Sequence, residues 1–333
     1  VSSVESTTRP DALVWQVSAS LVPARALHLI AELGVANLVD EDPVDVQKLA
    51  SALGVDASSL DRVLRLLVSV GIFRRDADGY RHTDASRLLR DDHPMSMRVF
   101  ARLMGLPVVW SSVASLESSV RTGEPAIDSL EPGGLWAYLE SHPAEGRIFD
   151  EAMTARAQAD TAGVVSTYDF GTFGTIADIG GGRGHLVRAI LQSVPTARGV
   201  LFDLPLVIDT LDRPPDRLVY QSGDFFADSL PVADAYLLMD VLHDWADKEA
   251  AAILVAIRRA AAMGAVVLII ESIVREDNPD PAAHTLDLIM LTMFGGRERT
   301  VSELRRLLDG CSFRLNRVLE TGGPRRIVEA VAV

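Results

Sequence analysis

Lysine is nearly missing from this 333-residue sequence, with Lys48 and Lys248 its only two, and Cys311 is its one cysteine. A lone cysteine forms no internal disulfide, and nothing near it has metal-ligand spacing, so a reducing, cytoplasmic setting is expected. Long apolar runs are also lacking. Ala265–Ile270 and Ala235–Met239 fall far short of the roughly 20 residues that cross a bilayer. Val1-Ser2-Ser3-Val4-Glu5 has no basic stretch leading into an apolar one, so no membrane or export role is expected. Positive charge is in deficit: 32 Lys and Arg face 46 Asp and Glu, a formal charge of −14 spread along the chain. Such a surface repels phosphate backbones and anionic lipids, which argues against nucleic acid as a partner. What the chain has in quantity is apolar residues, 48% of the total, enough to bury a core without staples.

The apolar positions change period along the chain. Leu27, Ile30, Leu33 and Val35, then Leu49, Leu53, Leu60, Val63, Leu64 and Leu67, recur at helical spacing. Val55-Asp56-Ala57-Ser58-Ser59 supplies a turn and an N-cap between two short helices, and Gly71–Arg81 reads as a hairpin around Asp78-Gly79. Together these predict a winged-helix-like domain over residues 1–95. Its second helix, Ser58–Val70, carries only Arg62 and Arg65 as cations among Leu60, Val63, Leu64, Leu66, Leu67 and Val70, a composition for packing or dimerisation and not for reading a major groove. A homodimer is expected, because this apolar content exceeds what so small a domain needs for its own core. Residues 96–165 continue as helices. From about Thr175, short β-branched runs alternate with helices, the pattern of a parallel sheet covered on both faces. The expected strands are Thr175–Ile179, Gly199–Leu204, Leu218–Ser222, Ala235–Asp240, Val266–Glu271, Arg314–Glu320 and Arg325–Val331. Gly322-Gly323-Pro324 is too short for a helical crossover, so the last two strands should be antiparallel.

The strongest local signal is Asp178-Ile179-Gly180-Gly181-Gly182-Arg183-Gly184-His185, a strand entering a glycine-dense turn before a helix. Glycine there permits positive φ and close approach of a ligand. A nicotinamide-binding turn needs glycine at its sixth position, which is His185 counted from Gly180, so a dehydrogenase is disfavoured. An acid two residues ahead of the glycines suits a ligand with an ammonium group. Asp203, in Phe202-Asp203-Leu204-Pro205, stands about twenty residues on, where α/β sites hold ribose hydroxyls. Gly223-Asp224-Phe225-Phe226 offers a carboxylate for an amino group and rings to cover a flat heterocycle. The fourth strand ends in Met239-Asp240-Val241-Leu242-His243-Asp244-Trp245, which places a histidine at the carboxyl edge of the sheet. Glu271 and Glu298 are the acids able to orient it and strengthen it as a base.

In these motifs, and in Gly295-Gly296-Arg297-Glu298-Arg299-Thr300, the chain resembles the plant caffeate- and flavonoid-type O-methyltransferases and their bacterial relatives that decorate polyketide antibiotics. The order and spacing match, from the helical amino-terminal module to the carboxyl terminus. The resemblance implies a Rossmann-like class I methyltransferase sheet of order 3-2-1-4-5-7-6 over residues 166–333. It also implies a winged-helix-like dimerisation domain, with residues 96–165 contributing to the acceptor pocket. It implies S-adenosylmethionine as cofactor with no metal, S-adenosylhomocysteine as product, and a small aromatic or polyketide-like acceptor methylated on a hydroxyl. Gly180 would approach the methionine part, Asp203 would hold the ribose, and Asp224 and Phe225 would contact the adenine, with Asp178, Gly182, Leu204, Gly223 and Met153 as further cofactor contacts. Met239 would also touch the cofactor, although plant members often have a cation there. His243 would be the base, with Glu271 and Glu298 beside it, and Trp136, Phe149, Met153, Asp244, Met290, Met293 and Phe294 would line the acceptor pocket. One branch of the family binds the cofactor and hydroxylates instead of methylating; the His243, Glu271 and Glu298 set favours methyl transfer. A winged-helix DNA-binding regulator is the remaining alternative.

Overall fold

The computed structural model describes residues 9–276 and 280–333, which form two compact units. The first comprises residues up to Trp110 together with Ala144–Ala155, and the second comprises Ser111–Pro143 and Arg156–Val333, so the helical stretch 96–165 contributes to both.

In the first unit, helices α1 (Pro10–Ala19), α2 (Leu21–Leu33), α3 (Val46–Leu53) and α4 (Ala57–Ser69) lead into strands β1 (Phe73–Asp76) and β2 (Gly79–His82), followed by α5 (Asp84–Arg87), α6 (Arg98–Met104) and the start of α7 (Pro107–Ala114). The Asp45 and Asp56 side chains cap α3 and α4 by accepting from the Gln47 and Ser59 amides, each at 2.8 Å. Leu60, Leu64 and Leu67 of α4 face inward onto Ile30, Leu49, Phe73 and Tyr80. The helix that could have read a groove spends its apolar face on this core. α1 is different: none of its residues is buried, and Leu13, Val14, Trp15 and Val17 are exposed. Pro10–Leu33 is also the one stretch among the described residues long and apolar enough to cross a bilayer by length and composition. Counting consecutive apolar residues overlooks it, because Asp11, Gln16, Arg25 and His28 interrupt the run without interrupting the helices.

The second unit opens with α8 (Leu116–Thr122), α9 (Gly134–Ser141) and the later part of α10 (Pro143–Thr167). There follow β3 (Thr175–Ile179), α11 (His185–Ser193), β4 (Arg198–Asp203), α12 (Pro205–Ile208), β5 (Leu218–Ser222), β6 (Ala235–Met239), α13 (Asp247–Ala260), β7 (Val266–Val274), α14 (Pro281–Met293), β8 (Arg299–Thr300), α15 (Val301–Gly310), β9 (Phe313–Glu320) and β10 (Arg325–Ala332). The sheet order is β5-β4-β3-β6-β7-β10-β9, which is 3-2-1-4-5-7-6 counted along the seven long strands. β10 runs antiparallel to both its neighbours, and β8 adds a two-residue parallel rung on β7 that sequence reading did not anticipate. The fifth long strand continues to Val274, so Glu271 lies inside it, opposite Arg326, and not at its end. Alternating residues feed two cores, one with Ala177, Ile179, Ile253, Ile257 and Leu304, the other with Ile176, Leu186, Ile190 and Leu201. β3 and β6 are neighbours although β4 and β5 intervene in the chain, and a strand-order switch of this kind leaves a ligand crevice beyond the carboxyl ends.

Candidate active site

The glycine turn sits at that switch point. Gly180, Gly182 and Gly184 have φ of +65°, +57° and +74°, and a Cβ on Gly181 would fall 2.5 Å from the Asp178 Cγ. A side chain is therefore strained at Gly180, Gly182 and Gly184 and blocked at Gly181, and Asp178 lies against the turn. Asp178 is 1% exposed, and its Oδ2 is buried with no hydrogen-bond partner. Burial raises its carboxyl to about 7 against a hydrogen bond from the Val187 amide, with the Asp203 charge adding to the rise. An orphaned buried acceptor beside a glycine-dense turn fits an incoming ammonium group. Asp203 braces the same turn: its Oδ2 accepts from the Gly182 amide and its Oδ1 from the Leu204 amide, both at 2.7 Å. Burial raises the Asp203 carboxyl, and those two amides pull it back.

At the other side of the crevice the Gly223 amide donates to the Asp203 carbonyl at 2.9 Å, and a Cβ there would meet the Phe202 ring at 2.8 Å. Asp224 accepts from the Phe226 amide at 2.8 Å and so sets the turn that presents Phe225 and Phe226. Both rings meet Trp245 edge-on, at centroid distances of 5.9 and 4.8 Å. Sequence reading gave Trp245 no role; here it buttresses the aromatic pair from the segment that carries His243.

His243 is 4% exposed, in a short 3-10 turn after β6. Its Nδ1 is 2.7 Å from Glu298 Oε1, and its Nε2 is 3.4 Å from Asp244 Oδ1. Facing a carboxylate, Nδ1 carries the proton, so in the neutral ring Nε2 is the free base. Burial lowers the imidazole pKa, but Asp244, the Glu298 hydrogen bond, Asp240 and Glu271 outweigh it and lift it well above the usual histidine range. Glu271 acts differently from expectation. Its Oε1 accepts from the Val241, Leu242 and His243 amides at 3.2, 2.7 and 3.2 Å, so it grips the backbone of the turn and not the ring.

The opposite face of the turn is held by a cation that sequence reading missed. Arg299, 1% exposed, donates through Nη1 to the Leu242 carbonyl and through Nη2 to the Trp245 carbonyl, both at 2.8 Å, and through Nε to Asp247 at 3.0 Å. The Arg297 amide reaches the His243 carbonyl at 2.8 Å, and a Cβ on Gly296 would lie 2.0 Å from that same oxygen. The Gly296–Arg299 segment thus aims the ring through Glu298 and fixes the backbone through Arg297 and Arg299. Asp240, with φ +52°, accepts two hydrogen bonds from Arg325 Nε at 2.9 and 3.1 Å, and Arg325 also contacts Asp160.

Trp136 and Phe294 pack at 5.9 Å between centroids, while Met290 and Met293 of α14 are buried. Leu204 is exposed and Met239 half-buried at the carboxyl edge. Phe149 and Met153 lie on the part of α10 that belongs to the first unit. Among the described residues no group of three or more His, Cys, Asp or Glu side chains is arranged to hold a metal ion.

Comparison with known proteins matches residues 114–314 to an O-methyltransferase domain and residues 15–92 to an O-methyltransferase dimerisation domain. A phenazine O-methyltransferase from Lysobacter antibioticus is 37% identical over 313 residues, covering 92% of each chain. A mitomycin biosynthesis 6-O-methyltransferase from Streptomyces lavendulae is 37% identical over 321 residues, covering 92% of this chain and 90% of the other. Among solved structures, an O-methyltransferase from neocarzinostatin biosynthesis, in complex with S-adenosylmethionine and 2-hydroxy-5-methyl naphthoic acid, superposes with a TM-score of 0.80 at 33% identity, over 96% of this chain and 98% of that one.

Proposed function

The chain belongs to the O-methyltransferases of the caffeate and flavonoid type, in their bacterial natural-product branch, and from that premise we propose that it methylates a hydroxyl of a small aromatic secondary metabolite with His243 as general base. The observation that carries this is the His243 arrangement: Nδ1 committed to Glu298, Nε2 facing Asp244 at 3.4 Å, and the backbone clamped by Glu271 and Arg299. S-adenosylmethionine, when bound, supplies an electrophilic methyl group. Asp178 would receive its ammonium, Asp203 its ribose hydroxyls, and Asp224 with Phe225 its adenine, with Gly180, Gly182, Leu204, Gly223 and Met239 as backbone and apolar contacts. Trp136, Asp244, Met290, Met293 and Phe294 would line the acceptor site. The parts of Phe149 and Met153 rest on the family resemblance.

A phenol with pKa near 10 passing its proton to an imidazole near 6.5 goes uphill by about 5 kcal/mol in free solution. The carboxylates around His243 raise its proton affinity and narrow that gap, and Nε2 takes the proton as the oxygen attacks. The chain would work in the cytoplasm as a homodimer, with the exposed Leu13, Val14, Trp15 and Val17 of α1 covered by a second copy. No metal takes part in this scheme. Incubation with methyl-labelled S-adenosylmethionine and a panel of hydroxyarenes is the test. Label in an aryl ether supports the reading; an oxygenated, unlabelled product would replace it with the hydroxylating branch.

A further inference from the structure

The segment that carries Glu298 leaves α14 through two glycines, Gly295, with φ +73°, and Gly296, where the backbone restricts its own path least. Farther along, the Arg297 amide and the Arg299 guanidinium bind carbonyls of the His243 turn, and Arg299 and Thr300 pair with Ile273 and Val274 of β7. The Glu298 amide turns the other way. It donates to Asp287 Oδ1, back on α14, at 2.9 Å, and so staples the glycine-led segment to the helix it left.

Asp287 is the only Asp, Glu, Lys or Arg in α14, half-buried in the run Leu286-Asp287-Leu288-Ile289-Met290. Aspartate is a weak helix former in a helix interior, and a partly covered carboxylate loses hydration. Its one hydrogen-bond partner among the described residues is the Glu298 amide. Glu298 depends on that anchor. It is 3% exposed, its Oε1 meets His243 Nδ1 at 2.7 Å, and no group among the described residues bonds its buried Oε2. With no second hydrogen bond to steer the carboxylate, its aim comes from its backbone.

Resting on the general-base reading above, we infer that Asp287 is a positioning residue for the base: it ties the Glu298 backbone to α14 and thereby holds the carboxylate on His243 Nδ1. The helix that carries Met290 and Met293, assigned above to the acceptor site, thus also sets the aim of the base.

Histidine-selective NMR of the whole protein provides the test, the His243 signal being identified by its loss in His243→Gln, together with kcat and KM for a hydroxyarene that accepts label. Asp287→Ala removes the acceptor, and alanine is the better helix former, so α14 survives. The His243 imidazole is raised by Asp244, Glu298, Asp240 and Glu271 against burial; with the other three acids in place, its pKa should fall by about half a unit or more as Glu298 drifts. kcat should drop about ten- to a hundredfold while KM and S-adenosylhomocysteine affinity hold, the pattern of a misaimed base. Asp287→Asn, whose carbonyl can still accept from the Glu298 amide, should restore most of both. In a Glu298→Ala background, which leaves no carboxylate to aim, Asp287→Ala should change kcat by less than about twofold. Unchanged pKa and kcat in Asp287→Ala, an asparagine variant as impaired as the alanine one, or the full loss repeated in the Glu298→Ala background overturns the inference. If His243→Gln itself keeps its kcat, the general-base reading falls, and this inference with it, whatever Asp287→Ala does.

Discussion

Asp178→Asn should make the ligand-free protein more stable and the cofactor complex weaker, two opposite effects from one exchanged atom. The Asp178 carboxyl is fully buried, has one orphaned oxygen, and is carried by burial from 3.8 to about 7. A folded-state pKa above the unfolded value means that the folded protein holds the proton more tightly. Stability is therefore unaffected below the unfolded pKa, falls as pH rises from about 4 to 7, and stays low beyond. At about 1.4 kcal/mol per unit the full loss is about 4 kcal/mol. Asparagine is uncharged at every pH and its carbonyl can still accept from the Val187 amide, so the variant should escape the decline. Thermal melts of the ligand-free protein should coincide near pH 4 and separate by roughly 5–10 °C at pH 8, the variant higher. S-adenosylhomocysteine should bind the variant about ten- to a hundredfold more weakly, because its ammonium loses a charged partner. A variant that melts with or below the wild type at pH 8 would show that Asp178 is not held as a strained anion, and unchanged affinity would show that the ammonium is received elsewhere.

His243→Gln should leave S-adenosylhomocysteine affinity unchanged in calorimetry while kcat falls by roughly two to four orders of magnitude. The loss should be smaller for acidic phenols, and a uniform loss across a phenol series would indicate misalignment instead. Glu298→Gln removes a hydrogen-bonded carboxylate that raises the His243 imidazole, so its pKa drops; on the general-base proposal the neutral ring is the active form, and the acidic limb of the kcat/KM profile should move to lower pH by about a unit or more. A limb that stays in place would detach that titration from His243. Asp203→Ala should weaken S-adenosylhomocysteine by about 1–3 kcal/mol, since ribose hydroxyls lose their acceptor, and equal affinity in an intact fold would refute the assignment. Trp15→Asp places a charge among the exposed apolar residues of α1 and should lower the mass seen by light scattering from dimer to monomer; an unchanged dimer would move the interface elsewhere.

The sheet could be read from the sequence because its signals are local. β-branched runs, a glycine turn and a Gly-Gly-Pro reversal each act within ten residues, and they set the strands and the antiparallel close. His243 with Glu298 and the Asp178 turn were legible as residue types at motif spacing. What Glu271 does was not: the sequence shows an acid near a strand end, whereas three amides 28 to 30 residues away decide that it grips backbone. The roles of Arg299 and Arg325 were not legible for the same reason, since a buried guanidinium seeking carbonyls or carboxylates 52 or more residues off has no periodicity.

The placement of β10 between β7 and β9 bears on how the chain comes off the ribosome. β10 is synthesised after every other strand, yet it fills an interior slot and brings Arg325 to Asp240. Until residues 325–332 emerge, the nascent sheet has a gap flanked by two unpaired edges, and open edges invite pairing with other chains. Translation must therefore pass residues 325–332 before the sheet can close. A pause between β9 and β10, or a stall inside β10, would leave the most aggregation-exposed intermediate, and holding chaperones should act on it at that stage.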